Sequence, residues 1–212
     1  MYSKQLGTAI VDADLSDITI VKVDLSGAEL VSTNLEGSLI LDVALSNSVL
    51  GKANISKSFF GDTVLRRAVL LSANLEMAIL IRPDLSWSNL IDANLYQSTL
   101  IDANLQGAEL GNANLSEAIL IRANLQGANL IDANLKDAIL DRANLLDAYV
   151  NEEQIAQSLL CHTKLPEYIQ LDPDRDCKES ERRTLLRFPS GKFLPEEPST
   201  PQKSLYRYRQ RL

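Results

Sequence analysis

A chain of 212 residues, 45% apolar and 23% charged, has the make-up of a soluble protein of one or two domains. Aromatic residues are only 5% of it, so aliphatic side chains must fill whatever core it has. Its net charge of −7 is unevenly spread: residues 1–150 hold 18 acidic and 10 basic residues, whereas from Arg175 onward 10 basic residues face 5 acidic ones, so an acidic body carries a basic tail and direct binding of DNA by the body is disfavoured.

Residues 1–7 read as a short lead-in. The start, MYSKQLGTAIVDADL, lacks the apolar core and small-residue cleavage site of a signal peptide. No stretch of about 18 apolar residues follows, so no transmembrane segment is expected.

From residue 8 to residue 150 the chain repeats every five residues. All 29 positions with numbers divisible by five, from Ile10 to Val150, are apolar. Seventeen of the residues two before them are Ala, and most of the others are Ser or Thr; Ile18, Val23, Val43 and Pro83 are the exceptions. Five is the period of neither a helix nor a flat strand. Two residues two apart can point the same way on an extended segment, and a corner of two residues then brings the next pair inward. The result is a coil with five-residue sides, whose backbone pairs with the coils above and below.

The outward positions give the number of sides. The residue before the central one is Asn or Asp at 14, 24, 34, 54, 74, 84, 94, 104, 114, 124, 134 and 144, a ten-residue rhythm. The residue after it is apolar at Val11, Val21, Val31, Leu41, Leu71, Ile81, Ile91, Ile101, Ile121 and Ile131. Alternate sides differ, which fits four sides of a 20-residue coil, about seven coils in all and a rod roughly 35 Å long.

ADLSD (13–17), ANLEM (73–77), ANLQG (103–107 and 123–127) and ANLKD (133–137) resemble the A-(D/N)-L-x-x motif of the pentapeptide-repeat family. The resemblance implies an all-β fold, a right-handed quadrilateral β-helix. It extends to NEEQIAQSLLCHTKLP (151–166), which is similar to the segment that closes the coil in cyanobacterial members: a short capping helix and a T-x-L-P exit. Functions in this family are mostly unestablished. Some members bind DNA gyrase by mimicking DNA with an acidic rod, and others serve as scaffolds or regulators.

The residues of the cap support that helix physically. Asn151 with Gln154 forms a capping-box pattern, Glu152 and Glu153 suit the first turn, and Ile155 and Leu159 share a face fit to lid the last coil. Residues 167–212 form a basic, Pro-containing tail expected to be largely flexible, ending in KSLYRYRQRL.

No cofactor, metal or catalytic constellation is indicated. His162 is the sole histidine and adjoins Cys161, but neighbouring side chains usually point apart, and Cys161, His162 and Cys177 lack metal-site spacing. Two cysteines cannot make a disulfide framework for the fold and fit a reducing, cytoplasmic compartment.

The candidate interface is the third side, which carries outward Leu39, Leu41, Phe59, Ile79, Ile81, Ile101, Ile119, Ile121 and Ile139. An apolar wall of that extent suits a homodimer or a protein partner, coverage by the tail, or a packed β-branched ladder. Corner residues Asp12, Asp42, Asp62, Asp92, Asp102, Asp132, Asp137 and Asp147 suit turns. They also open the alternative of a DNA-mimicking rod acting on a topoisomerase, although Arg66, Arg67, Arg82, Arg122 and Arg142 interrupt the field. Together these readings describe a non-catalytic scaffold or regulator that binds a protein partner through the outer wall of the rod.

Overall fold

In the computed structural model, residues 9–180 and Arg183 are described. The expectations for the lead-in 1–7 and for most of the tail lie outside them. The chain divides into two compact units, one ending at Cys177 and the other beginning at Lys178.

The first unit is a parallel β-helix. Every backbone pairing joins a residue to the one twenty further on. Ala9, Glu29, Val49, Val69, Asn89, Glu109, Asn129 and Tyr149 form one unbroken file of such pairs, which makes seven advances of one coil each. On the third side the first five coils contribute strands β1 (Thr19–Val21), β2 (Leu39–Leu41), β3 (Phe59–Gly61), β4 (Ile79–Ile81) and β5 (Thr99–Ile101). They form one parallel sheet in chain order.

The hydrogen bonds of one side explain its composition. In residues 33–37, Leu35 N–H and Gly37 N–H donate forward to Asn54 O and Ser56 O, Asn34 N–H donates back to Ala13 O, and Thr33 N–H closes a turn on Leu30 O. The fifth donor, Glu36 N–H, goes to Oδ1 of Asn34. All five amides are thus satisfied, four by backbone and one by the Asn side chain. The third side has Thr or an apolar residue where Asn would stand, and there β1–β5 pair as true strands instead.

Each corner takes a left-handed residue. Asp12, Asp17, Asp42, Arg82, Trp87, Asp102 and Arg122 have φ between 52° and 59°, as do most residues two past a centre. Such a conformation costs a residue with a side chain about 1–2 kcal/mol. The forward bond of each corner amide, such as Asp12 N–H to Val31 O, holds the turn against that cost.

The interior is the series of multiples of five. Leu50, Leu70, Leu80, Leu90, Leu105, Leu110, Leu125 and Leu140 are wholly buried, with Ala53, Ala68, Ala108 and Ala128 beside them. Pro83 occupies one small inward position. It removes a turn bond rather than a ladder bond, because its neighbours keep theirs: Arg82 N–H donates to Ile101 O and Asp84 N–H to Thr63 O.

Helix α1 (Glu152–Ala156) interrupts the eighth coil. Asn151 and Gln154 make both bonds of a capping box. Gln154 Nε2 also donates to Leu130 O and Ala133 O, at 2.8 Å each, which closes the end of the seventh coil. Leu159 does not share a helical face with Ile155, because α1 ends at Ala156 with Gln157 as its C-cap. Leu159 instead pairs with Ile139 on the third side, and Lys164 pairs with Asn144, so two sides of an eighth coil follow the helix. Ile155 and Leu160 extend the inward series beyond Val150.

The cap also runs past residue 166. Ile169 is buried, and Tyr168 Oη donates to Ala148 O at 2.7 Å. Cys161 and Cys177 are joined by a disulfide, a single bridge in the cap that the cysteine count did not lead one to expect. Their sequence separation of 16 residues gave no sign of it; the eighth coil and the turn through 172–176 bring them together.

Candidate interaction surfaces

The two sides with Asn before the centre carry ladders of side-chain amides. On one, Asn34, Asn54, Asn74, Asn94, Asn114 and Asn134 each donate to the residue twenty before, beginning at Asp14. On the other, Asn104, Asn124 and Asn144 do the same, starting from Asp84. These files are largely uncharged and bind themselves.

The third side differs from a bare apolar wall. Leu39 and Ile79 are half-buried, while Leu41, Phe59, Ile81, Ile101, Ile119, Ile121 and Ile139 are buried. They lie outside the central core cluster. On the first side, ladder stacking alone leaves Val11, Leu71 and Ile131 exposed, at 46%, 41% and 53%. The third wall is therefore more buried than the first. As it stands, it offers a partner little beyond Leu39 and Ile79.

Accessible apolar surface lies on the first side. Around its middle, Val31, Val49, Val69 and Ile91 are half-buried and Leu71 is exposed, with Gly51 between Val31 and Leu71. Val49 pairs with Val69 across the ladder. The sequence named Val11, Val31, Leu71, Ile91 and Ile131 only as markers of the ten-residue rhythm, because periodicity could not tell which apolar wall remains open.

The acidic corners are partly neutralised. Arg82 holds Asp62 through two bonds, Nε to Oδ1 at 2.7 Å and Nη2 to Oδ2 at 2.8 Å. Arg122 holds Asp102 in the same way at 2.5 and 2.6 Å. The hydrogen bond to Asp102 raises the affinity of the Arg122 guanidinium for its proton. On another corner Lys57 meets Glu36 at 2.7 Å, and its bond to the carboxylate holds Glu36 below the usual range. Trp87 stands exposed at a corner, stacked on Gly107 one coil on.

His162 Nδ1 lies 3.1 Å from Cys161 Sγ and 3.9 Å from Asp141 Oδ1. Among the described residues, Cys161, His162 and Cys177 stand close enough to share an ion, but the two sulfurs are bonded to each other. As a disulfide they are poor metal ligands, since a metal binds the thiolate. Among the described residues no helix is long and apolar enough to cross a membrane.

Comparison with known proteins follows the same repeats. The profile described as Pentapeptide repeats matches in eight copies, over residues 78–117 and 118–151. No curated protein matches the chain in sequence. Among solved structures the chain is similar to HetL, a pentapeptide repeat protein involved in heterocyst differentiation regulation from the cyanobacterium Nostoc sp. strain PCC 7120. That match has 25% identity over 73% of this chain and 88% of that one, with a TM-score of 0.36. A second is a pentapeptide repeat protein, Rfr23, from the cyanobacterium Cyanothece 51142, with 23% identity over 74% and 90% and a TM-score of 0.23. A third is QnrB1, a plasmid-mediated fluoroquinolone resistance protein, with 14% identity over 84% and 97% and a TM-score of 0.39.

Proposed function

From the eight pentapeptide repeats matched over residues 78–117 and 118–151, we propose that the chain is a pentapeptide-repeat protein throughout its β-helix and a non-catalytic scaffold or regulator that binds a protein partner through an outer wall of that β-helix. The observation that supports this reading is the open apolar patch on the first side, centred on Leu71, with Val31, Val49, Val69 and Ile91 around it. Aliphatic side chains held on a paired backbone present a flat, preorganised surface, so little conformational entropy is lost on docking. Gly51 lets a partner approach the backbone at the patch centre.

The third wall, taken from sequence as the binding face, is the weaker candidate because most of its side chains are already buried. DNA mimicry is weaker too. Asp62 and Asp102 are paired with arginines and the Asn ladders are largely uncharged, which interrupts the acidic field that mimicry needs.

The test is Leu71→Asp. Co-purification from the source cell should lose the partner that wild type retains, while the circular dichroism spectrum stays unchanged. Light scattering of the two proteins distinguishes a second copy of this chain from a foreign partner. An identical set of co-purifying proteins, with identical masses in solution, overturns the proposal.

A further inference from the structure

We infer that the Cys161–Cys177 bond is a thiol–disulfide exchange site that takes a dithiol as its co-reactant and governs the hold of the cap. The two cysteines differ in burial: Cys161 is buried and Cys177 is half-buried. The exposed ring of His162 places Nδ1 3.1 Å from Cys161 Sγ. On its other flank stands Asp141, with Oδ1 3.9 Å away. That oxygen is buried and accepts no hydrogen bond, and Arg142 Nε stands at the same 3.9 Å from it.

These positions assign the steps. A thiolate of the dithiol attacks the sulfur of the less buried residue, Cys177 Sγ, and forms a mixed disulfide as the Cys161–Cys177 bond breaks. Cys161 leaves with the electron pair and receives a proton from His162, which regains one from water. The second thiol of the co-reactant then gives up its proton and attacks its own sulfur in the mixed disulfide, releasing Cys177 as a thiolate that water protonates. Two electrons and two protons have passed to the protein, and the dithiol has become a disulfide.

The bond crosses a seam of the cap made largely of polar contacts. Besides it, the turn 172–176 meets the eighth coil through polar contacts at the surface. Asp176 N–H donates to Leu160 O, Leu160 N–H donates to Asp176 Oδ2, and His162 N–H donates to Asp174 Oδ1. Arg175 Nη2 donates to the carbonyls of Ile155, Ala156 and Ser158. Leu171, just before the turn, packs against the core but no large apolar side chain of 172–176 does, so the covalent link adds to these polar contacts in holding the turn.

The experiment uses the full chain, dithiothreitol without denaturant, thiol counting by alkylation and mass, and amide exchange. Both thiols should appear while the far-ultraviolet spectrum stays constant. Exchange should quicken at Leu160, His162 and Asp176 and not in the coils before residue 130. His162→Gln should slow reduction at least about tenfold, the scale of a lost proton donor. Cys177→Ser should show the quickened exchange without reductant. Reduction that occurs only as the β-helix unfolds, His162→Gln reduced as fast as wild type, or amides unmoved after reduction would each overturn the inference.

Discussion

Asn94 Nδ2 donates to Oδ1 of Asn74, one coil back, at 3.1 Å, and the same oxygen accepts the backbone N–H of Glu76 at 3.2 Å. A single amide therefore serves both directions of the fold. Within its own side it satisfies the one backbone donor that the coil-to-coil ladder leaves over. Along the axis it ties that side to the next.

Removing such a residue leaves several groups without partners at once. Asn94→Ala strips the Tyr96 N–H of its acceptor and breaks the links to Asn74 and from Asn114. The site is partly open to water, which offsets some of the loss. A cost of about 1–3 kcal/mol is expected from urea unfolding. A shift under about half a kcal/mol would mean that the ladder is decoration.

Interior deletion should cost more. Leu105 is wholly buried on the axis. Leu105→Ala leaves a cavity that neighbouring coils cannot close, since each is pinned by its own ladder, and about 2–5 kcal/mol should be lost. Each coil contacts only its neighbours, so calorimetry should show the loss as reduced cooperativity between the two halves as well as a lower midpoint.

Two corner glycines separate backbone strain from crowding. Gly107 and Gly127 have φ of +62° and +64°, so alanine at either meets the same left-handed penalty of about 1–2 kcal/mol. A Cβ at Gly127 would meet nothing within 4 Å, whereas one at Gly107 would sit 2.6 Å from the ring of Trp87. Gly107→Ala should therefore be the more destabilising of the two and should shift the emission of Trp87, the sole tryptophan. In a Trp87→Ala background the two glycine substitutions should cost the same. A difference that persists there would place the crowding elsewhere.

Acid should act at the Lys57–Glu36 corner in a defined direction. The bond from Lys57 lowers the folded pKa of Glu36 below its ordinary value. Its contribution is present above the unfolded pKa, near 4.5, and is lost as pH falls through the lower folded value. Lys57→Met should move the Glu36 titration, followed by carboxyl NMR, back up. Because the pair is exposed, the accompanying stability change should be small and shrink with salt.

The depth of the repeat decided what could be read from sequence. Every central residue from Ile10 to Val150 is constrained by the axis, so the column identified the fold and the four-sided coil without coordinates. The left-handed corners were less legible, because lysine, arginine, tryptophan and methionine occupy them as readily as aspartate. The burial of Ile119 and Ile121 was not legible at all: an outward isoleucine has the same pattern whether its wall is covered or open. The disulfide was missed because a loop of 16 residues closes only once the helix and eighth coil are in place.

The cap offers a last test, in which two residues of one motif should respond unequally. Asn151 accepts the Gln154 N–H, and its own N–H donates to Gln154 Oε1. Asn151→Ala therefore loses an N-cap, with a cost of about 1 kcal/mol. Gln154→Ala loses the reciprocal bond and also bares Leu130 O and Ala133 O, which end the seventh coil. About 1–3 kcal/mol beyond the cap is expected for those half-buried carbonyls. If α1 serves to close the coil, Gln154→Ala should also quicken amide exchange in residues 130–140, which Asn151→Ala should leave protected. Equal costs and equal exchange would mean that the helix merely follows the β-helix without closing it.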